Sequence, residues 1–119
     1  MAIAVKRKLS GSTDGKPIKV VQTATAGDTV HTAVAGTTAG TFDEIWIWGY
    51  NGHTTTVTVT IEFGGATVPD QNIVLTLASK SGLVPIVPGL ILQNGMVVKA
   101  FASVANVVTL SGFVNAITD

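Results

Sequence analysis

The chain predicts an all-β protein: an antiparallel β-sandwich of jelly-roll or Greek-key type, with about eight short strands and an extended N-terminal arm. Three observations lead there. Apolar and polar residues alternate with a period of two, and helical periodicity is nearly absent. Val, Ile and Thr, whose branched side chains fit a pleated surface, are abundant. Turn signals recur roughly every eight to twelve residues, with no room for a strand–helix–strand unit.

Each element has its own justification. Met1–Thr13 shows little alternation, so residues 1–12 read as an extended basic arm and 13–119 as a single domain. Pro17 can begin a strand over Ile18–Thr25, and Val30–Val34 follows a Gly27-Asp28 turn. Residues 33–41 (AVAGTTAGT) hold few anchoring side chains and read as a loop. Asp43–Tyr50 alternates Ile45, Ile47 and Gly49 with Trp46, Trp48 and Tyr50, so both faces of that strand are apolar. Thr54–Phe63 sets Val57, Val59, Ile61 and Phe63 against Thr56, Thr58, Thr60 and Glu62, one dry face and one wet. Asn51-Gly52 lies between them. Both residues tolerate positive φ, so residues 43–63 are expected to form one antiparallel hairpin.

Asn72–Ala78 alternates again, with Ile73, Leu75 and Leu77 on one side, and turns at Ser79–Gly82. Leu83–Val87 contains Pro85, which has no N–H for a ladder, so the segment belongs on a sheet edge or leaves the sheet there. Asn94-Gly95 predicts a second hairpin joining Gly89–Gln93 to Met96–Ser103. A turn at Ala105-Asn106 leads into Val107–Ile117, where Gly112 marks a bulge or a close backbone approach.

Composition narrows the function. The 119 residues carry seven basic and seven acidic side chains, 46% hydrophobic residues and no cysteine. Charged residues make up 12%, about half the usual share of roughly 25% in soluble domains. One core can hold a chain of this length without disulfide or metal staples. Absent cysteines exclude a disulfide framework, a thiolate zinc site and a cysteine nucleophile. Net neutrality offers little resistance to self-association or docking. The charge is nonetheless divided: Lys6, Arg7, Lys8, Lys16 and Lys19 against Asp14 give +4 over residues 1–19, and Lys80 and Lys99 against six acids give −4 over the rest. A basic segment without interleaved aromatics argues against nucleic acid and for an acidic neighbouring subunit. Met1–Val5 is too short for a signal-peptide core, and Leu83–Leu92, broken by Pro85, Pro88 and Gly89, is too short for a membrane span. A cytosolic site of synthesis is expected.

Little catalytic chemistry can be assembled. His53 follows the Asn51-Gly52 turn and reads as a turn residue, and His31 three residues after Asp28 is no ligand pattern in a strand. Asp43 and Glu44, adjacent in a strand, point to opposite faces and cannot share a substrate. Gly64-Gly65 lacks the lysine and helix of a phosphate loop. An enzyme, a metal site and a cofactor are all unexpected. Trp46, Trp48 and Tyr50 allow three readings: core, subunit interface or carbohydrate platform.

Several stretches together resemble a known class. Phe42-Asp43-Glu44-Ile45-Trp46 with Tyr50-Asn51, residues 58–65 (TVTIEFGG), 87–95 (VPGLILQNG) and 98–102 (VKAFA) resemble small virion proteins of tailed-bacteriophage structural modules, over about residues 9–117. The resemblance implies a head decoration, or cement, protein. Such a subunit is β-rich, usually trimeric, and sits on the outer capsid lattice, with the major capsid protein and its own copies as partners. It has no cofactor, nucleic acid, membrane or small-molecule substrate, and the class supplies no catalytic residue to carry over. On this reading Lys6, Arg7, Lys8 and Leu9 are capsid-contact candidates, and Trp46, Trp48, Tyr50, Leu90 and Leu92 are subunit-interface or core candidates. The alternatives are a tail, neck or fibre component, or a carbohydrate-binding β-sandwich module.

Overall fold

Nine strands follow one another in the computed structural model, which describes residues 2–119. They are β1 (Ile3–Lys8), β2 (Ile18–Lys19), β3 (Asp28–Thr32), β4 (Phe42–Asn51), β5 (Val57–Phe63), β6 (Asn72–Leu77), β7 (Val84–Leu92), β8 (Val97–Ala102) and β9 (Val108–Thr118). Every pairing is antiparallel. One sheet runs β1-β9-β4-β7, with β2 also on β9; the other runs β3-β8-β5-β6. The expected all-β sandwich is what the chain forms.

Its topology is a set of nested pairs. β5 pairs with β6, β4 with β7, β3 with β8 and β2 with β9. The chain is one long hairpin rolled over itself, and this is jelly-roll order. β5–β6 is the tip and stays within one sheet, whereas the connections around it cross between sheets. The two expected Asn-Gly hairpins are therefore corrected: β4 and β5 lie in different sheets, as do β7 and β8. Turn chemistry is local and reverses the chain, but sheet assignment follows from burying apolar faces. At Asn94 (φ 63°) and Gly95 (φ 66°) the tight turn does form, with Met96 N–H donating to Gln93 O at 3.2 Å, and the strands then diverge. At Asn51 there is no such turn. Asn51 still belongs to β4, opposite Val108, and its buried side chain donates to Thr55 O (3.0 Å) and Leu77 O (2.9 Å) while accepting from His53 N–H (2.8 Å).

The inner faces supply the core. Ile45 and Ile47 of β4, and Val108, Leu110 and Val114 of β9, meet Val57, Val59 and Ile61 of β5 and Val98, Ala100 and Ala102 of β8. The alternation read in β4 and β5 is thus the inward–outward alternation of the sandwich. β7 pairs on one side only and carries Pro85, Pro88 and two register shifts, as its expected edge position requires. Gly112 packs under the backbone of the central strand: a Cβ there would lie 2.0 Å from Trp46 O. Gly89 (φ 78°) makes a flat bed for an indole, since a Cβ would lie 2.7 Å from Trp46 Cζ2.

The N-terminal segment differs from its expectation in detail. Ile3–Lys8 is paired residue for residue with Phe113–Thr118, so this part lies along its own sheet as an edge strand. Residues 9–12 then cross to the other sheet, where Gly11 N–H donates to Val30 O at 2.9 Å. Leu9 is only 1% exposed and belongs to the core, which removes it from the capsid-contact candidates. The expected strand Ile18–Thr25 is cut to Ile18–Lys19, because Asp28 Oδ2 draws Val21 N–H (2.6 Å) and Gln22 N–H (3.0 Å) off the ladder.

Candidate functional site

Register decides which side chains share the outer face of the β1-β9-β4-β7 sheet. Glu44, Trp46, Trp48 and Tyr50 alternate with the buried Ile45, Ile47 and Gly49 and therefore point outward. Across the sheet Lys6, Asn115, Glu44 and Ile91 form one row, and Lys8, Phe113, Trp46 and Pro88 the next. Ser111 stands opposite Trp48, and Thr109 opposite Tyr50. The core reading of Trp46, Trp48 and Tyr50 is corrected: they sit half-buried outside the core, covered by one another and by adjacent strands.

Three rings dominate the face. Trp46 and Trp48 lie 6.2 Å apart between centroids and 18° from parallel. Phe113 lies 6.3 Å from Trp46 at 19° and 5.9 Å from Trp48 at 31°. Lys6 Nζ stands 4.5 Å from the centroid of Phe113, within the range of a cation–π contact. Glu44 accepts from Trp46 Nε1–H (2.7 Å) and from Asn115 Nδ2–H (3.0 Å), both at Oε1. These donors, Asn115 foremost and Trp46 next, hold the Glu44 carboxyl below its ordinary value, so it is ionised at neutral pH. The face thus combines near-parallel rings with a fixed carboxylate, an amide and an ammonium group. The opposite outer face of the sandwich is of another kind, with Thr58, Thr60, Val74, Thr76, Lys99 and Phe101.

The other predicted residues fall elsewhere. Arg7 stands on the inner side of β1, at the mouth of a cleft of about 660 Å³ that also reaches His31, Asp43 and Thr118. Leu90 is 41% exposed near the end of β7, and Leu92, two residues on, packs partly against the core. Ile91, on the outer face, is 57% exposed. The structure therefore brings Lys6 and Lys8 to the aromatic row and leaves Arg7, Leu9, Leu90 and Leu92 apart from it.

Sequence reasoning did not find a second cluster. His31 Nε2 lies 2.7 Å from Asp43 Oδ2, both groups buried. Ser10 N–H donates to His31 Nδ1 at 3.0 Å, so Nδ1 is the bare nitrogen and Nε2 carries the hydrogen. Asp43 Oδ2 also accepts from Val34 N–H at 3.2 Å, and Ser10 Oγ accepts from Thr32 N–H at 2.7 Å. Serine, histidine and aspartate meet, but His31's free lone pair is taken by a backbone N–H rather than by the hydroxyl. The cluster ties the end of β1 to β3 and β4. Glu62, 2% exposed, plays a similar part on the other sheet, accepting from Gly27 N–H (2.7 Å) and from the Thr25 hydroxyl. Asp43 and Glu44 do point to opposite faces, one into this cluster and one to the rings. Among the described residues no group of three His, Asp or Glu converges as a metal site would require, and no helix is long and apolar enough to cross a membrane.

Comparison with protein-family models, curated proteins and solved structures finds no match for this chain.

Proposed function

We propose that the chain is a non-enzymatic virion structural protein, a decoration subunit that binds the outer surface of a phage head and stabilises its lattice. The observation that carries this reading is the free edge of β1. All six residues are exposed, and β1 has a strand on one side only. Lys6 and Lys8 are engaged by Phe113 and by Ser12 O (3.0 Å), and neither they nor Arg7 pairs with a described carboxylate. β7 is blunted by prolines and bulges, β3 is covered by residues 10–11 and β2 is only two residues long, so β1 is the longest charged edge left open, while β6 is open but uncharged. An extended acidic segment of a shell protein can add to such an edge, its backbone pairing with β1 and its carboxylates meeting the cations.

Jelly rolls serve as capsid domains and as lectins, so the fold fits the reading without selecting it. Stabilisation would follow mass action, because a ligand that binds the assembled lattice alone shifts assembly toward it. The subunit would be made in the bacterial cytoplasm, act as a homotrimer and approach the major capsid protein in copy number. A much lower copy number would indicate a tail, neck or fibre component instead. Since Leu9 is a core residue, the decisive variant keeps it: Lys6→Glu/Arg7→Glu/Lys8→Glu. Loaded onto capsids stripped of this protein, it should show reduced occupancy by electron cryo-microscopy and leave the heads less heat-stable. Undiminished occupancy and head stability would remove β1 from the mechanism. Light scattering that returns a concentration-independent monomer would remove the trimer.

A further inference from the structure

Docking through the β1 edge leaves the aromatic face of the same sheet unexplained, and a role for that face does not depend on the edge. A monomer gains nothing by leaving two indoles and a phenyl ring only half-buried on an outer sheet face, so the face is suited to being covered. What could cover it is restricted by the polar groups among the rings. Glu44 Oε1 takes both N–H donors, which orients the carboxylate and leaves Oε2 with open lone pairs. Asn115 spends its amide N–H on the same oxygen and keeps its carbonyl open, and Lys6 presents ammonium hydrogens over Phe113. A flat protein surface seated here would bury a carboxylate oxygen, an amide oxygen and an ammonium group. Each would be costly without its own partner.

A sugar ring resolves both demands. Its C–H faces cover aromatic planes, while its equatorial hydroxyls radiate in the ring plane and both donate and accept. We infer that the outer face of the β1-β9-β4-β7 sheet binds the pyranose units of a neutral oligosaccharide. The units pack on Trp46 and Trp48, which Phe113 buttresses from the β9 side under the Lys6 ammonium, with hydroxyls donating to Glu44 Oε2 and Asn115 Oδ1 and accepting from Lys6. Trp46 is held in a fixed pose for stacking, because its N–H is bound by Glu44 and its six-membered ring rests against Gly89, where any side chain would lift it. The three rings lie within 5.9 to 6.3 Å and 18° to 31° of one another, so they brace each other in one cluster. The ionised carboxylate beside the rings selects against acidic sugars.

The decisive experiment is fluorescence titration of the full chain with cellohexaose, chitohexaose and xylohexaose, with a hexagalacturonate as the acidic control. At least one neutral hexasaccharide should give a saturable change in indole emission, and the acidic one should not. Trp48→Ala and Glu44→Gln, each with unchanged far-ultraviolet circular dichroism, should weaken that binding by about tenfold or more, as loss of an anchoring group does. Failure of all three neutral sugars to bind the folded protein would overturn the inference, as would binding that survives in both variants. Light scattering provides the third refutation: an oligomer of the parent chain that dissociates in Trp48→Ala would make this face a contact between copies.

Discussion

Replacing Asn51 by aspartate separates the hairpin that the Asn-Gly dipeptide suggests from the sheet-to-sheet crossover that the chain forms. In a two-residue hairpin turn aspartate serves nearly as well as asparagine, so the change would be close to neutral. In the crossover it is not. Asn51 is fully buried, and its Nδ2 donates to Thr55 O and Leu77 O. Aspartate loses both bonds, worth about 1 kcal/mol each, and sets a carboxylate oxygen against two carbonyl oxygens in a dry site. Leaving those carbonyls unpaired and burying the new charge adds at least another ~1 kcal/mol. The expected loss is therefore about 3 kcal/mol. For a domain of this length 1 kcal/mol corresponds to about 4 °C in the unfolding midpoint, so Asn51→Asp should melt about 12 °C below the parent. Asn94→Asp is the internal control. Asn94 is exposed and in a true tight turn, so its change should stay within about 0.5 kcal/mol. Urea and thermal unfolding followed by indole fluorescence would measure both. If Asn51→Asp stays as close to the parent as Asn94→Asp, the crossover argument fails.

Three further substitutions probe other parts of the structure. Gly112→Ala drives a Cβ into Trp46 O across the central strand pair and should cost about 3 kcal/mol in urea unfolding; a loss below about 1 kcal/mol would mean that β4 and β9 do not approach so closely. His31→Leu leaves Asp43 buried with Val34 N–H as its remaining donor and orphans Ser10 N–H, for an expected loss of about 3 kcal/mol. Amide exchange should then speed up first around residues 9–12 and 31–34, and uniform acceleration would count against a local tie. Because the folded state lowers the Glu44 carboxyl below its ordinary value, its contribution is fully present above about pH 4.3 and fades as pH falls through the folded value. Glu44→Gln should accordingly lose less of its melting temperature than the parent between pH 7 and pH 3, and equal losses would contradict the assignment.

Much of the fold was legible because a strand's two faces are written in alternating residues. Val57, Val59 and Ile61 announce a core face, and Pro85 announces an edge, without reference to anything distant. The aromatic site was half legible for the same reason. Trp46, Trp48 and Tyr50 had to share one side of a strand, but that strand's partners could not be read from it. Phe113 and Asn115 reach the row through β9, and Lys6 through β1, by a register that only the nested pairing sets. The expected hairpin over residues 43–63 would have set the threonines of β5 beside the aromatic row; β9 instead brings an asparagine and a phenyl ring there.

By itself, then, the order of residues determined the strand class, most strand positions, the dry face of strands such as β5 and most places where the chain turns. All are properties of a few consecutive side chains. Tertiary structure alone decided which sheet each strand joins, that Leu9 is core while Lys6 is surface, and that His31 finds Asp43. Those outcomes depend on burying many apolar faces at once, a condition that no single segment can express.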